Sequence, residues 1–200
     1  MARKAATERR ADIVEAGLRV IAREGMHGAT VRAIVAEAEV PLATFHYVFD
    51  SRDQMIGEAY AFVGSFITDE PFAALPQDAS VEDAAAGLMR AWFGRFLEHP
   101  EYELAAMEIM AYCRRTSSLA HVHAEVQERC LQALVDLLEA LEQHLGVVSA
   151  TPARELATLT IQFADGIQYS WLRTGDTEAA LRMIERVAVP TIVAGIERRL

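Results

Sequence analysis

The sequence has little of what marks secreted, membrane-bound or disulfide-stabilised proteins. Cysteine occurs only twice in 200 residues, at Cys113 and Cys130, and the spacing fits neither a zinc site nor a redox motif. No apolar run approaches the roughly 18–20 residues that a membrane-spanning helix needs. The basic N-terminus leads into charged residues rather than into an apolar signal segment. These absences predict a reduced, cytoplasmic protein that does not enter a membrane.

Catalytic motifs are missing as well. The sequence contains no Gly-rich phosphate loop, no Gly-x-Ser-x-Gly elbow and no His-Glu-x-x-His pair. His121 and Glu125 have a spacing that suits metal ligands on a helix, yet neither cysteine completes a compact ligand set with them. We therefore predict that the protein is not an enzyme and that it holds no metal or cofactor. A helical enzyme built from scattered Tyr, His and Glu residues stays open as an alternative.

Acidic residues outnumber basic ones, but not in the N-terminal quarter of the chain. The net charge is −10, whereas residues 1–50 hold seven basic and seven acidic side chains. The first ten residues are basic, because Arg3, Lys4, Arg9 and Arg10 face only Glu8. An acidic body repels phosphate and leaves the less acidic end as the favoured face toward a polyanion. This asymmetry is compatible with a nucleic-acid partner at the N-terminal end.

Helical periodicity and helix-end signals run through the whole chain. Gly25 is a stop signal for the first helix, and Thr30 and Ser80 are N-cap residues for later helices. Ser51 and Gln54 have the spacing of a capping box. No segment shows the period-two alternation of a strand. We predict an all-α fold of about nine helices, at residues 7–24, 31–37, 41–48, 51–68, 80–98, 100–113, 118–145, 151–173 and 177–199, with a kink at Pro190.

The most informative segment is residues 30–52, which read TVRAIVAEAEVPLATFHYVFDSR. Two short helices with a break at Glu39–Val40 form the pattern of a helix-turn-helix. Val40, Phe45 and Phe49 form the buried side of the second helix. Its outward side combines small apolar and hydrogen-bonding groups without carboxylates, namely Pro41, Leu42, Ala43, Thr44, His46 and Tyr47. Such a surface can approach DNA.

The same segment resembles a known family. Gly25, Thr30, the run Thr44–Phe49 and the pair Ser51-Arg52 have matching spacing in TetR-family transcriptional regulators. The resemblance covers residues 7–56. Three positions depart from it, since Ala43 replaces a frequent Gly, His46 a common Tyr and Val48 a common His. These departures bear on the operator sequence and not on the fold.

The resemblance implies a DNA-binding helix-turn-helix domain of three helices at residues 1–50. Thr44, Tyr47 and Arg52 are placed like phosphate-contacting residues, and Arg32 matches a position that can reach a guanine edge. Leu42 and Ala43 offer only apolar contact, which suits thymine methyl groups, and His46 can donate to a base or a phosphate. The predicted DNA-binding residues are therefore Thr30, Arg32, Pro41, Leu42, Ala43, Thr44, His46, Tyr47 and Arg52.

The resemblance further implies a larger helical ligand-sensing and dimerisation domain at residues 51–200. This part is rich in methionine and aromatic residues, which line adaptable apolar pockets but also form ordinary cores. The predicted ligand-binding residues are Phe62, Phe66, Met89, Trp92, Met107, Met110 and Phe163. The last two helices carry apolar stripes, and in the family such helices form a four-helix dimer interface. The stripes consist of Leu156, Leu159, Phe163 and Ile167, and of Leu181, Ile184, Ile192 and Ile196.

Together these patterns predict a ligand-responsive transcriptional regulator. The resemblance implies a repressor that binds a palindromic operator in double-stranded DNA as a homodimer and is released by a small, largely apolar or aromatic effector. The alternative is a helical small-molecule-binding or protein-interaction protein without DNA binding. A salt-sensitive complex with duplex DNA distinguishes the two.

Overall fold

The computed structural model describes residues 6–63 and 79–196, and within these ranges the chain is helical apart from short connections. No strand occurs in the described residues, which confirms the predicted all-α fold. None of their helices is long and apolar enough to cross a membrane. The connection between the predicted fourth and fifth helices and the last turn of the predicted fourth helix lie almost wholly outside the described ranges.

The helices begin and end close to the predicted residues. They are α1 (Ala6–Gly28), α2 (Val31–Glu37), α3 (Leu42–Val48), α4 (Arg52–Val63), α5 (Val81–Glu98), α6 (Pro100–Arg115), α7 (Ala120–Leu145), α8 (Ala153–Thr174), α9 (Thr177–Met183) and α10 (Val189–Ile196). A 3-10 turn at Ser117–Leu119 precedes α7, and a π-helical segment at Ile184–Ala188 joins α9 to α10. The helix of α1 is broken at Gly25, whose φ of 69° is left-handed, as the predicted stop requires.

Side-chain caps fix the starts of the second and fourth helices. The Thr30 hydroxyl accepts a hydrogen bond from the Ala33 amide at 3.2 Å. At the start of α4 the Gln54 amide donates to the Ser51 hydroxyl at 3.1 Å, and the Gln54 side chain accepts from the Asp50 amide at 2.7 Å. The bonds to Thr30 and Ser51 each satisfy a backbone amide that the first turn of a helix leaves without an intrahelical partner, and the bond from Asp50 holds the residue before the cap. The predicted caps are therefore present.

The described residues divide into two compact units, 6–63 with 99–127 and 79–98 with 128–196. The predicted boundary after residue 50 does not separate them. In the first unit α6 packs along α1 and against α4, so the three N-terminal helices share their core with two later elements. The unit that carries the helix-turn-helix is consequently larger than residues 1–50.

The core of the first unit is built on α1. An apolar stripe at helical spacing, formed by Ile13, Ala16, Val20 and Ile21, is buried, and none of these side chains is more than 1% exposed. Gly17 lies on the same face, and a Cβ there would come within 2.9 Å of the Met55 sulfur. Any side chain at this position would force the end of the buried Met55 side chain to move.

Buried cysteine completes the core of the first unit on its α6 side. Cys113 is fully buried, and this burial raises the pKa of its thiol to about 11. The thiol is therefore protonated near neutral pH and acts as a small apolar side chain.

The core of the second unit is formed by α5, α7, α8 and the final helices. It contains most of the two stripes that were predicted to form a dimer interface. Leu156, Ile167, Ile184, Ile192 and Ile196 are all at most 4% exposed within a single chain. Those side chains stabilise the subunit itself, so an interface on these helices must use their other faces.

Pro190 lies one residue after the start of α10, and it does not break the final helix. It follows directly on the π-helical segment, in which the Val189 amide donates to the Ile184 carbonyl five residues back. Proline has no amide to give to the carbonyl four residues before it. The wider turn accommodates this missing donor.

Candidate nucleic-acid interface

The turn between α2 and α3 is held by backbone hydrogen bonds and one left-handed residue. The Val40 amide donates to the Val35 carbonyl at 3.0 Å, and the Glu39 amide donates to the Ala36 carbonyl at 3.2 Å. Glu39 has a φ of 53°, a conformation that costs a non-glycine residue about 1–2 kcal/mol. The sequence predicted the break between the two helices at Glu39–Val40, but it did not predict the left-handed conformation of Glu39, because the position is not a glycine.

Helix α3 has one buried and one exposed side. Phe45, Val48 and Phe49 are at most 9% exposed and pack into the first unit. The opposite side is open to solvent, as predicted, with Leu42 42% and Tyr47 71% exposed. Pro41, Ala43 and His46 are also exposed, whereas Thr44 is half-buried. No carboxylate belongs to α3, so this surface presents no fixed negative charge of its own to a phosphate backbone.

Two of the predicted contacts lie at the start of α2. Thr30 is exposed at the N-cap, and Arg32 is exposed one residue into the helix. No ion pair of Arg32 is found among the residues that the structure describes. Its guanidinium therefore keeps its donors for an external acceptor.

Arg52 has an internal role that the sequence did not predict. Its Nε donates to the Ala29 carbonyl and one Nη to the Met26 carbonyl, both at 2.5 Å. Its other Nη is 3.4 Å from the Tyr112 hydroxyl, and the guanidinium lies over the Tyr112 ring. All three nitrogens are engaged within the first unit. Arg52 thus ties α4 to the end of α1 and to the start of α2.

Helix α6 completes this network from the opposite side. The Tyr112 hydroxyl donates to Asp53 at 2.7 Å, and this bond raises the pKa of Tyr112. One turn earlier, the Glu108 carboxylate accepts from the Met26 amide at 2.8 Å. Glu108 therefore holds the end of α1.

A second arginine holds the end of α3. Arg10 donates to the Val48 carbonyl and to both carboxylate oxygens of Glu58, and its guanidinium stacks over the Phe49 ring at 4.4 Å. These contacts join α1, α3 and α4 at one residue. Sequence reasoning counted Arg10 only as part of a basic tip, since no local signal links residues that are 48 positions apart.

Ion pairs also join α1 to α2. Arg19 and Arg23 bind the two carboxylate oxygens of Glu37 at 2.9 and 3.0 Å. These hydrogen bonds, that from Arg19 first, lower the pKa of Glu37. With Arg10 and Arg52, four arginines of the first unit are thus occupied in positioning its helices.

The predicted ligand-binding residues fall into both units. Phe66 lies outside the described residues. In the first unit, Phe62 is 36% exposed, and Met107 and Met110 are half-buried. In the second, Met89 is buried in the core and Trp92 and Phe163 pack against it. Trp92 also meets the Phe96 ring edge-on at 4.4 Å.

Comparison with known proteins agrees with this geometry. Residues 13–59 match the profile of the bacterial regulatory proteins of the tetR family. The chain is 25% identical over 164 residues to the HTH-type nicotine-responsive transcriptional repressor HdnoR of Paenarthrobacter nicotinovorans, covering 81% of this chain and 84% of that one.

Solved structures share the fold over 96% of the chain. A TetR transcription regulator from Haloarcula marismortui shares the fold with a TM-score of 0.75 at 18% identity, over 96% of this chain and 100% of that chain. The multidrug binding protein EbrR, solved with malachite green, has a TM-score of 0.64 at 25% identity, over 96% of this chain and 99% of that chain. The fold and the exposed helix define a helix-turn-helix DNA-binding regulator. Residues 13–59 are of the tetR-family type, and the described chain shares the fold of solved TetR-family regulators.

The internal role of Arg52 leads to a test by substitution. Arg52→Ala leaves two carbonyls without their donor, so we expect the free energy of unfolding to fall by about 1–3 kcal/mol. The slope of DNA affinity against salt should stay unchanged, because no phosphate contact is removed. Denaturant unfolding and fluorescence anisotropy with a mixed-sequence duplex measure the two quantities.

Arg32→Ala is the matched control for Arg52→Ala. Because Arg32 is exposed, its loss should leave the unfolding free energy within about 0.5 kcal/mol of the parent while weakening DNA binding. If Arg52→Ala kept the full free energy of unfolding and lowered the salt slope by about one unit, Arg52 would instead be a contact to a DNA phosphate.

Proposed function

We propose that this regulator is a repressor that binds a pseudo-palindromic operator as a homodimer and is released by a small, largely apolar or aromatic effector. The observation that carries the proposal is the exposed, carboxylate-free side of α3, fixed by buried residues behind it. Repression is supported by the relative HdnoR, whose name describes a transcriptional repressor. Helices of this kind read base edges from the major groove.

In this proposal, one set of side chains positions the protein on the DNA backbone and another set recognises the base sequence. Tyr47 and Thr44 carry hydroxyls suited to phosphate oxygens, which fix register without reading sequence. Arg32 can donate two hydrogen bonds to a guanine edge, and Leu42 with Ala43 can pack on thymine methyl groups. His46 is also exposed on α3 and can donate a hydrogen bond to a base or to a phosphate. Thr30 and Pro41 precede the first residues of α2 and α3, and they place the N-terminal ends of these helices beside the DNA backbone.

These two roles predict different mutant behaviour. Tyr47→Phe should weaken binding to every duplex by a similar factor, since it removes a phosphate contact. Arg32→Ala should instead lose about 1–3 kcal/mol of discrimination at particular base pairs, and Leu42→Ala should lose selectivity at thymines. The measurement is affinity for a duplex selected from a randomised pool and for a scrambled one. If the ratio of the affinities for the selected and the scrambled duplex were the same in all three variants, these side chains would not determine the sequence that the protein binds.

The proposed dimer interface lies on the outer faces of the last helices. On α8, Leu159 is 37% and Tyr169 58% exposed, and Gly166 between them is exposed as well. At the end of α9 and in the π-helical segment that follows it, Met183 is 45% and Val187 36% exposed, four residues apart. Side chains at these spacings share one face of a helix. A second copy of the chain is the natural cover for such a face, because two-fold DNA sites require two recognition helices.

Charge placed on this face should separate the subunits. Leu159→Glu with Met183→Glu is expected to give a monomer in analytical ultracentrifugation and to lose binding to the selected operator. Leu104→Glu is the control, since Leu104 is 48% exposed but lies in the first unit. A parent protein that sediments as a monomer at micromolar concentration would contradict the dimer.

The proposed effector follows from the methionine and aromatic side chains. In the second unit Met89, Trp92 and Phe163 are candidates for ligand contact, and in the first unit Phe62, Met107 and Met110 are. Methionine adapts to differently shaped apolar ligands, and aromatic rings stack on flat ones. The relatives support this chemistry, since HdnoR is named for its response to nicotine and EbrR was solved with malachite green.

An aromatic probe tests the switch. We expect malachite green or an uncharged aromatic compound to bind the free protein and to lower operator affinity by about 5–150-fold. Linkage requires that operator DNA lower the affinity for the probe by the same factor. Trp92→Ala should weaken the response while DNA binding without the probe stays intact. A bound probe that leaves operator affinity unchanged would refute a role for these residues in release.

A further inference from the structure

Charge is unevenly distributed along the first unit. In its described residues, only three stretches of ten or more positions lack aspartate and glutamate, at 25–36, 40–49 and 109–124. The first two contain the start of α2 and the exposed side of α3, which form the proposed DNA face. The third contains Arg114 and Arg115 at the end of α6, followed by the 3-10 turn. The same charge pattern therefore occurs in a segment far along the chain from the helix-turn-helix.

Packing brings this third segment to the start of α4. The Tyr112 hydroxyl is 2.7 Å from Asp53, in the first turn of α4. Leu119, beyond the end of α6, lies next to Gly57 in the following turn of α4. The end of α6 is thus held beside the first turns of the helix that directly follows α3.

Arg115 lies on the side of α6 that faces these contacts. Glu108, Tyr112 and Arg115 are at positions i, i+4 and i+7, which share one face of a helix. Glu108 and Tyr112 bind the end of α1 and the start of α4. Arg115 is next along this face and exposed, and its guanidinium has no hydrogen bond or ion pair within the described residues.

Arg114 provides an internal comparison. It is also exposed and also in the last turn of α6, but it is two residues from Tyr112. At 100° per residue it points about 160° away from the face of Tyr112. Both arginines interact equally with the helix dipole, so the dipole does not account for a difference between them.

We propose that the C-terminal end of α6 is a second phosphate-binding surface, with Arg115 contacting the DNA backbone beside the helix-turn-helix. The inference rests on the proposed DNA-binding function and adds a contact from outside the N-terminal domain. Arg115 remains open, as Arg32 does, in a unit where four other arginines are used in packing. The contact is to phosphate, so it adds affinity for any duplex and no sequence preference.

The test is the salt dependence of binding to a mixed-sequence duplex, followed by fluorescence anisotropy from about 50 to 200 mM salt. Arg115→Gln should lower the slope of log affinity against log salt by about 0.9, the value for one phosphate contact. The corresponding loss of affinity near 0.1 M salt is about five- to tenfold. Arg115→Lys should retain the slope, because the charge is kept. Thermal melts establish that each variant is folded.

Arg114→Gln is the matched control, with the same change of charge on the opposite side of the helix. Its slope should stay close to that of the parent. An unchanged slope in Arg115→Gln overturns the proposal. An equal decrease of the slope in both variants overturns it too, because it indicates a general electrostatic attraction to DNA rather than a direct contact between Arg115 and a phosphate. If the parent itself binds no duplex, the proposed function fails instead.

Discussion

The orientation of the helix-turn-helix depends on the hydrogen-bonded packing of α6 against α1 and α4. The Glu108 carboxylate holds the Met26 amide, and Arg52 holds the Met26 and Ala29 carbonyls from the other side. The segment between α1 and α2 is therefore fixed by side chains from two later helices. Because α2 begins at Thr30 immediately afterwards, any displacement of α6 is transmitted to the position of α2 by strong, short contacts rather than by loose apolar packing.

Arginine is used in two distinct ways in this unit. Where the guanidinium is partly buried it binds carboxylates or carbonyls with several donors, as in Arg10 with Glu58 and Val48. Lysine could not replace it there, since a single ammonium cannot span several acceptors in fixed directions. Arg32 and Arg115, which are exposed, retain their full charge for an outside partner. Counting basic residues therefore overestimates the charge that is offered to DNA.

Much of the fold could be predicted from sequence because the signals are local. The stripe of α1, the caps at Thr30 and Ser51 and the bounds of α2 depend on residues a few positions apart. The two sides of α3 followed from the same periodicity. What the sequence could not predict depends on distant pairs, since nothing near Arg10 points to Glu58 and nothing near Arg52 points to Tyr112. The addition of α6 to the first unit was missed for the same reason.

The separation of the two sides of α3 has an evolutionary consequence. Phe45, Val48 and Phe49 carry the packing, whereas Leu42, Ala43 and His46 are exposed to solvent. Substitutions at the three outer positions alter the surface offered to base pairs while leaving the free energy of folding almost unchanged. A duplicated gene can therefore acquire a new binding site in a few steps without first becoming unstable, so descendants of one scaffold can diverge to control different promoters.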